Sequence, residues 1–172
     1  MKSKFWNILI VCIFLTTPCW ADVNKTVAQD GSGDYSTIQA AFDDVPENFQ
    51  NGKWIIHIKP GRYYGKVILN KGKDHVVLIG DNAQNTILTY DDYAGRPGLK
   101  GGSYSTRIDA DDFTAYQITF ENTHLNIREK PGENKHSQGT ALEVRGDRCA
   151  FYNCRIVGNQ DTLWGAGNGR IY

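Results

Sequence analysis

Short runs of apolar and β-branched residues, separated by Gly, Asn and Asp, dominate the chain after residue 50. This pattern predicts β-strands, because such runs bounded by turn residues fit a pleated, partly buried surface. The predicted strands are 54–58, 63–69, 75–79, 86–90, 114–120, 141–144 and 149–157. No helical pattern separates them, so the spacing fits an antiparallel sandwich or a parallel β-helix of stacked coils. The spacing alone leaves both architectures open.

One segment near the N-terminus has helical spacing instead. Ser-Thr-Ile-Gln at 36–39 has the form of a capping box, in which side chains bond the first free backbone N–H groups of a helix. Apolar side chains then recur at helical intervals, at Ile38, Ala41, Phe42 and Val45. Pro46 cannot continue a helix. We therefore predict one amphipathic helix of about ten residues, which would cap the β-structure.

Two segments of the chain resemble each other. Asp-Phe-Thr-Ala-Tyr at 112–116 and Asp-Arg-Cys-Ala-Phe at 147–151 lie 35 residues apart, and a β run ending near Asn122 or Asn159 follows each. That interval is longer than one tight coil, so a loop has to be inserted between the two copies. The polar stretch 126–137, which contains Pro-Gly, is predicted to be this surface loop.

The first 21 residues have the pattern of a secretory signal peptide. Lys2 and Lys4 precede the apolar run 5–15. Cys19 and Ala21 are then the small residues that signal peptides carry three and one positions before the cleavage site. The apolar run is too short to cross a hydrocarbon core of roughly 30 Å. We therefore predict a signal peptide at 1–21, a single domain at 22–172, and no membrane span.

Composition and charge describe a folded, turn-rich domain. The chain is 40% hydrophobic, contains 18 Gly and has a mean hydropathy of −0.47. Basic and acidic residues number 19 each, and removing Lys2 and Lys4 with the signal peptide leaves a slight acidic excess. Because nucleic-acid binding depends on basic surfaces, this charge argues against a nucleic-acid partner.

Cleavage after Ala21 would leave Cys149 and Cys154 as the only cysteines, in a compartment that favours disulfides. In an extended strand, a separation of five residues puts the two side chains on opposite faces. Their distance of about 17 Å would exceed the reach of a disulfide. We predict two buried, unpaired thiols.

Common catalytic signatures are missing from the sequence. It contains no H-E-x-x-H, C-x-x-C, P-loop or G-x-S-x-G motif, and its four histidines lack metal-ligand spacing. The acidic residues Asp109, Asp111 and Asp112 could hold Ca²⁺, but the favoured interpretation is that they are turn and surface residues. We therefore predict neither a metal nor a cofactor.

Five segments carry the motifs of a known enzyme family. They are Asp-Gly-Ser-Gly-Asp-Tyr-Ser-Thr-Ile-Gln-Ala-Ala at 30–41, Gln-Gly-Thr-Ala-Leu-Glu-Val at 138–144, Gly-Asp-Arg at 146–148, Ala-Phe-Tyr-Asn-Cys at 150–154 and Gln-Asp-Thr-Leu at 160–163. With these motifs the chain, from about Val27 onward, resembles the pectinesterases, which remove methyl groups from methyl-esterified polygalacturonate. The opening motif also occurs in other β-helix proteins, whereas Gln-Asp-Thr-Leu is highly specific. The resemblance implies an all-β fold, a right-handed parallel β-helix.

The resemblance also implies roles for particular side chains. Asp161 would be the proton donor and later the base, Gln160 would donate a hydrogen bond to the oxyanion, and Gln138 would be a second amide contacting the substrate or that oxyanion. Neutral amide donors and a protonated carboxyl suit ester hydrolysis by a carboxylate nucleophile. Trp164 could stack on a sugar ring, although partial burial as a packing residue is an equally good interpretation.

The family's nucleophile is not found in this sequence. The step of 22 residues from Gln138 to Gln160 is a reasonable coil length and would place the two amides about 4.8 Å apart on adjacent coils. The family's nucleophilic aspartate, in a Gly-x-Val-Asp-Phe segment, would lie about one further coil beyond Asp161, and therefore beyond Tyr172. We expect a C-terminally truncated β-helix, the N-terminal part of an esterase, that is inactive alone.

The predicted protein is a secreted monomer that binds methyl-esterified polygalacturonate and interacts with neither nucleic acid nor membrane. Two alternatives remain open. One is a noncatalytic β-helix that binds acidic polysaccharide through aromatic and amide side chains. The other is a relative of the pectin or pectate lyases, for which the acidic residues near 110 are the only indication.

Overall fold

The computed structural model describes residues 21–50, 52–124, 137–167 and 169–172. The predicted signal peptide, apart from Ala21, and nearly all of the predicted loop 126–137 lie outside these residues. The elements are β1 (Val23–Val27), α1 (Ile38–Asp44), β2 (Trp54–Ile58), β3 (Gly61–Tyr64), β4 (Val67–Leu69), β5 (Val76–Gly80), β6 (Thr86–Tyr90), β7 (Tyr104–Ile108), β8 (Thr114–Tyr116), β9 (Thr119–Asn122), β10 (Thr140–Val144), β11 (Ala150–Tyr152), β12 (Arg155–Val157) and β13 (Leu163–Gly165).

The strands form three parallel sheets that the chain visits in turn. Sheet 1 has the order β1-β2-β5-β8-β11, sheet 2 the order β3-β6-β9-β12, and sheet 3 the order β4-β7-β10-β13. Every strand pair is parallel, and each strand lies against the strand one coil earlier in the chain. This topology is a parallel β-helix and excludes the antiparallel sandwich.

Each of three predicted strands is in fact a pair of shorter strands joined by a corner. The runs 63–69, 114–120 and 149–157 each divide between sheets. At two of these corners a single polar residue has a positive φ, 58° at Gln117 and 53° at Asn153. Apolar residues continue on both sides of such a corner, so the sequence pattern does not mark it.

Other differences from the sequence predictions are smaller. Strands β1, β7 and β13 were not predicted, and His75, with φ 62°, precedes β5 rather than belonging to it. The two similar segments pair on adjacent coils with Thr114 opposite Ala150, a step of 36 residues and not the 35 of the sequence similarity.

Helix α1 covers one end of the coil stack. The Thr37 side chain caps it by accepting the N–H of Ala40, and its buried residues pack against the first coil. Gln39 reaches the edge of sheet 3, where its amide accepts the N–H of Ile68 at 2.8 Å and donates to the Ile68 carbonyl at 3.1 Å. The side chain thus pairs edge strand β4 as another strand would. No helix among the described residues is long and apolar enough to cross a membrane.

Apolar side chains from successive coils stack inside the β-helix. Leu69, Ile108 and Val144 occupy equivalent positions in sheet 3 and are at most 1% exposed. Cys149 and Cys154 carry free thiols, as predicted, although Cys154 is only partly buried. Burial raises the pKa of Cys149 to about 11, which makes this thiol unreactive at neutral pH.

A ladder of aspartates holds the corner between sheets 3 and 1. Asp74 accepts the backbone N–H of Asp111, Asp111 accepts that of Asp147, and Asp147 accepts that of Arg170, each at 2.8 Å. Each carboxylate therefore bonds a backbone group of the next coil. A Cβ on the adjacent Gly146 would lie 1.8 Å from the Ala110 carbonyl oxygen, so the coils here are in close backbone contact.

The three acidic residues considered for Ca²⁺ are each bonded to protein groups. Asp109 pairs with Arg107 at 2.8 Å, Asp112 pairs with Arg148 at 2.6 Å, and Asp111 belongs to the ladder. Within the described ranges, no group of three or more His, Cys, Asp or Glu side chains is arranged to hold a metal ion. Their arrangement fits turn residues that stabilise the stacking of coils.

We predict that Asp147 makes the stability of the fold pH-dependent. Hydrogen bonds from the side chain and then the backbone N–H of Arg170 hold the pKa of Asp147 well below its usual range. A lowered pKa contributes stability that is complete above the unfolded value of about 3.9 and is lost as the pH falls through the folded value. In urea unfolding, the stability difference between wild type and Asp147→Asn should therefore be full at pH 6 and shrink in strong acid.

Glu47→Gln, at an exposed carboxyl beyond α1, is the matched control and should show no such acid-dependent difference. An Asp147→Asn difference that stays constant down to pH 2 would contradict the role of this carboxylate.

Candidate active site

The residues predicted to act in catalysis lie at one edge of sheet 3. Gln138 stands two residues before β10, and Gln160 and Asp161 lie in the turn that leads into β13. Strands β10 and β13 are parallel neighbours, with Leu142 opposite Leu163. Since parallel neighbours begin at the same edge of a sheet, the turns before them adjoin.

The register corrects the predicted coil step. Leu142 opposite Leu163 gives a step of 21 residues along these strands, one fewer than the predicted 22. The Thr162 carbonyl accepts both the Ala141 N–H at 3.0 Å and the Leu142 N–H at 3.1 Å. One carbonyl that accepts two successive N–H groups is typical of a bulge. The offset between Gln138 and Gln160 therefore does not follow from the strand register alone.

The neighbourhood of Gln138 is tightly packed. A Cβ on Gly139 would lie 2.8 Å from both the Asn122 side-chain oxygen and the Asp92 carbonyl, so only glycine fits. The Gln138 carbonyl accepts the N–H of Ala94 at 2.9 Å, which fixes the backbone. The side-chain oxygen of Gln138 is buried and has no hydrogen-bond partner in the described part of the chain. An unpaired buried amide oxygen can accept a hydrogen bond from a ligand.

Asp161 has an unusual backbone conformation. Its φ is 54°, in the left-handed region that asparagine and aspartate tolerate better than most residues. The carboxylate is exposed, as is the neighbouring Gln160. The turn therefore presents a carboxyl and an amide to solvent at the edge where Gln138 lies.

Trp164 stands on the outer face of sheet 3. It lies opposite Glu143 of β10, and 52% of its surface is exposed. Packing against the protein, one of the two predicted roles, covers only about half of the Trp164 surface. An exposed indole on a flat parallel sheet offers a surface on which a sugar ring can stack.

Sequence reasoning missed a series of side-chain contacts that links the turn before β13 to two earlier turns. The rings of Tyr93 and His124 stack with centroids 3.9 Å apart and planes 11° apart, and the His124 carbonyl accepts the Asn159 side-chain N–H at 2.6 Å. Burial, reinforced by the charge of Arg96, lowers the pKa of His124, so this ring is neutral at pH 7. The stack thus joins successive turns and ends beside Gln160.

The sequence gives no local signal for this stack, because Tyr93 and His124 lie in different coils of irregular length. Asn159, next to the predicted site, was the only member that the sequence motif could have indicated.

The arrangement places two amide groups and one carboxyl in adjoining turns at one edge of sheet 3, and an exposed aromatic ring on strand β13. Amide N–H groups can stabilise an oxyanion, a carboxyl can transfer a proton, and an indole can hold a sugar. A carboxylate-nucleophile mechanism needs a second carboxyl beside the first. Among the described residues of the two turns, 123–124, 137–139 and 158–162, Asp161 carries the one carboxyl.

Comparison with known proteins identifies the family. The family model described as Pectinesterase matches residues 24–172. Pectinesterase 4 of Arabidopsis thaliana is 38% identical over 151 residues, covering 87% of this chain and 24% of that protein. The chain is also similar to solved structures. Pectin methylesterase from carrot has a TM-score of 0.73 and 33% identity, covering 83% of this chain and 42% of that one.

A pectin methylesterase solved in complex with a hexasaccharide has a TM-score of 0.71 and 27% identity, covering 84% of this chain and 46% of that one. The chain thus spans less than half the length of these relatives. The match over residues 24–172, together with the parallel β-helix, establishes that the chain belongs to the pectinesterase family.

Proposed function

We propose that this chain is the N-terminal part of a secreted enzyme that hydrolyses the methyl esters of polygalacturonate and releases methanol. The observation that carries the proposal is the position of Gln138, Gln160 and Asp161 in adjoining turns at one edge of sheet 3, in a chain of this family. In this account residues 1–21 are a signal peptide, and 22–172 are the first part of a monomeric β-helix domain.

The reaction has two stages. An aspartate of a further coil attacks the ester carbonyl, and amide N–H groups of Gln160 and Gln138 stabilise the tetrahedral oxyanion. Asp161 protonates the departing methoxy oxygen, so methanol leaves and an acyl-enzyme remains. Asp161 then takes a proton from water, which attacks the acyl-enzyme and restores the nucleophile. Each oxyanion donor is worth about 3–4 kcal/mol in comparable enzymes.

A further coil would also complete the surroundings of Asp161. Leu163 is 48% exposed although its register neighbour Leu142 is fully buried, and Ile156 is only partly buried although its neighbour Phe120 is fully buried. These core positions are what another coil would cover. The same coil and the bound substrate would remove water from Asp161, as proton donation requires.

We predict that Asp161 is essential for methanol release. The test protein is this chain continued by the part of the carrot enzyme that follows its matched region, assayed on methylated pectin. Asp161→Asn keeps a residue that tolerates positive φ but cannot donate a carboxyl proton, and it should lower the rate by at least about 100-fold. The matched control Glu47→Gln should leave the rate unchanged.

An Asp161→Asn variant with the full rate of methanol release would refute the proton-donor assignment. Unsaturated products that absorb in the ultraviolet, without methanol, would instead indicate lyase chemistry and refute the esterase.

We predict separately that Trp164 holds the polysaccharide. In affinity electrophoresis of this chain through methylated pectin, Trp164→Ala should weaken retention about tenfold, because the stacking surface is lost. Trp164→Tyr should largely preserve it. The control is Tyr64→Ala, which removes an aromatic ring that is 66% exposed on sheet 2. Equal retention of wild type and Trp164→Ala would exclude a sugar contact at this position.

A further inference from the structure

Four charged side chains of alternating sign cover the centre of the outer face of sheet 3. Arg107 on β7 lies opposite Glu143 on β10, and Asp109 and Arg145 follow two residues later in the same two chain segments. Arg107 donates to Asp109 at 2.8 Å, and Arg145 donates to Glu143 at 2.6 Å. The Arg145 Nε also lies 4.0 Å from Asp109. Every member therefore has neighbours of opposite charge.

The exposure of these four side chains is unequal. The side chains of Glu143, Arg107 and Asp109 are 7%, 16% and 17% exposed, whereas that of Arg145 is 48% exposed. The guanidinium of Arg145 is thus the group through which this cluster meets solvent. Both of its close contacts, from Nε and Nη2, fall on one oxygen of Glu143. A half-exposed arginine held on one oxygen can exchange that partner for another carboxylate.

Trp164 continues the same row of side chains. It lies opposite Glu143, one strand further along the sheet. Adjacent strands are about 4.8 Å apart and two residues along a strand span roughly 7 Å, so Trp164 and Arg145 are diagonal neighbours about 8 Å apart. A sugar stacked on Trp164 would bring its own carboxyl, or that of the next sugar, within reach of the long arginine side chain.

From this geometry we infer that Arg145 is a specificity-determining residue that binds a free carboxylate of the polysaccharide, and that Glu143 is its internal competitor. The inference rests on the proposed function, which places the polysaccharide on Trp164, at the outer face of sheet 3. A guanidinium binds a carboxylate through two charge-assisted hydrogen bonds, whereas a methyl ester has neither the charge nor the second acceptor oxygen. The chain therefore favours stretches that already contain demethylated sugars.

The internal ion pair sets the strength of this preference. A substrate carboxylate has to displace Glu143 from Arg145, and this leaves a nearly buried carboxylate with less compensation. Removing the Glu143 charge should therefore release Arg145 for the ligand. Loss of an acidic side chain thus strengthens binding, and loss of its basic partner weakens it.

The test compares the affinity of this chain for polygalacturonate and for fully methyl-esterified pectin at low salt. We expect Arg145→Gln to weaken polygalacturonate binding about tenfold, and Glu143→Gln to strengthen it by about threefold or more. The double variant Glu143→Gln/Arg145→Gln should bind like Arg145→Gln. Affinity for the methylated polymer should not change in any of them.

Two controls make the outcomes decisive. Glu47→Gln makes the same charge change as Glu143→Gln at an exposed position after α1, at the opposite end of the coil stack from β13, and should leave polygalacturonate binding unchanged. Arg145→Gln leaves Glu143 without its arginine, so if that variant unfolds in thermal melting, the double variant, which buries no uncompensated charge, carries the comparison.

The role of Arg145 would be overturned if Glu143→Gln and the double variant kept the wild-type ratio of affinity for polygalacturonate to affinity for methylated pectin. The proposed function would still stand. Equal strengthening by Glu143→Gln and Glu47→Gln would also overturn the role of Arg145, since net charge alone would then explain the gain. A wild-type chain that binds neither polymer would overturn this inference, whereas the proposed function is tested separately by methanol release from the completed enzyme.

Discussion

Parallel hydrogen bonding between successive coils is the interaction on which the structure depends. Each strand is paired to the strand one coil earlier, so a residue has its counterpart directly above or below it. Apolar residues of one row then form the core, and polar residues of one row form ladders. The aspartate ladder at Asp74, Asp111 and Asp147 uses side chains for the same purpose, because each carboxylate bonds the backbone of the next coil.

The same stacking builds the candidate site. Gln138 and Asp161 are far apart in sequence, yet both precede neighbouring strands and so reach one edge of sheet 3. The turns can vary in sequence and conformation, and so hold functional side chains, because the paired strands beside them are fixed. Gly139 allows the backbone to approach Asn122, and Asp161 adopts a positive φ at the bulge. A rigid stack with variable turns thus separates the requirements of folding from those of the site.

Sequence reasoning predicted most of the strands and the helix, because their apolar patterns are strong. It missed the corners, since a single residue such as Gln117 turns the chain without interrupting the apolar run. It missed β7 because Ser105, Thr106 and Arg107 make the strand polar, although all three side chains are mostly buried. The family motif indicated Gln138, Gln160 and Asp161. The Tyr93–His124 stack and the position of Arg145 near Trp164 depend on coil register, which one sequence does not reveal.

The central claim is that coil stacking brings the turn of Gln138 against the turn of Gln160. Cysteines introduced at these two positions, treated with a short bifunctional thiol reagent, measure this proximity directly. The native thiols interfere little, because burial raises the pKa of both Cys149 and Cys154. The account predicts rapid cross-linking within the folded monomer, and none between Gln138→Cys and a cysteine placed at exposed Tyr64 on sheet 2. No cross-link between positions 138 and 160 in the folded chain would contradict it.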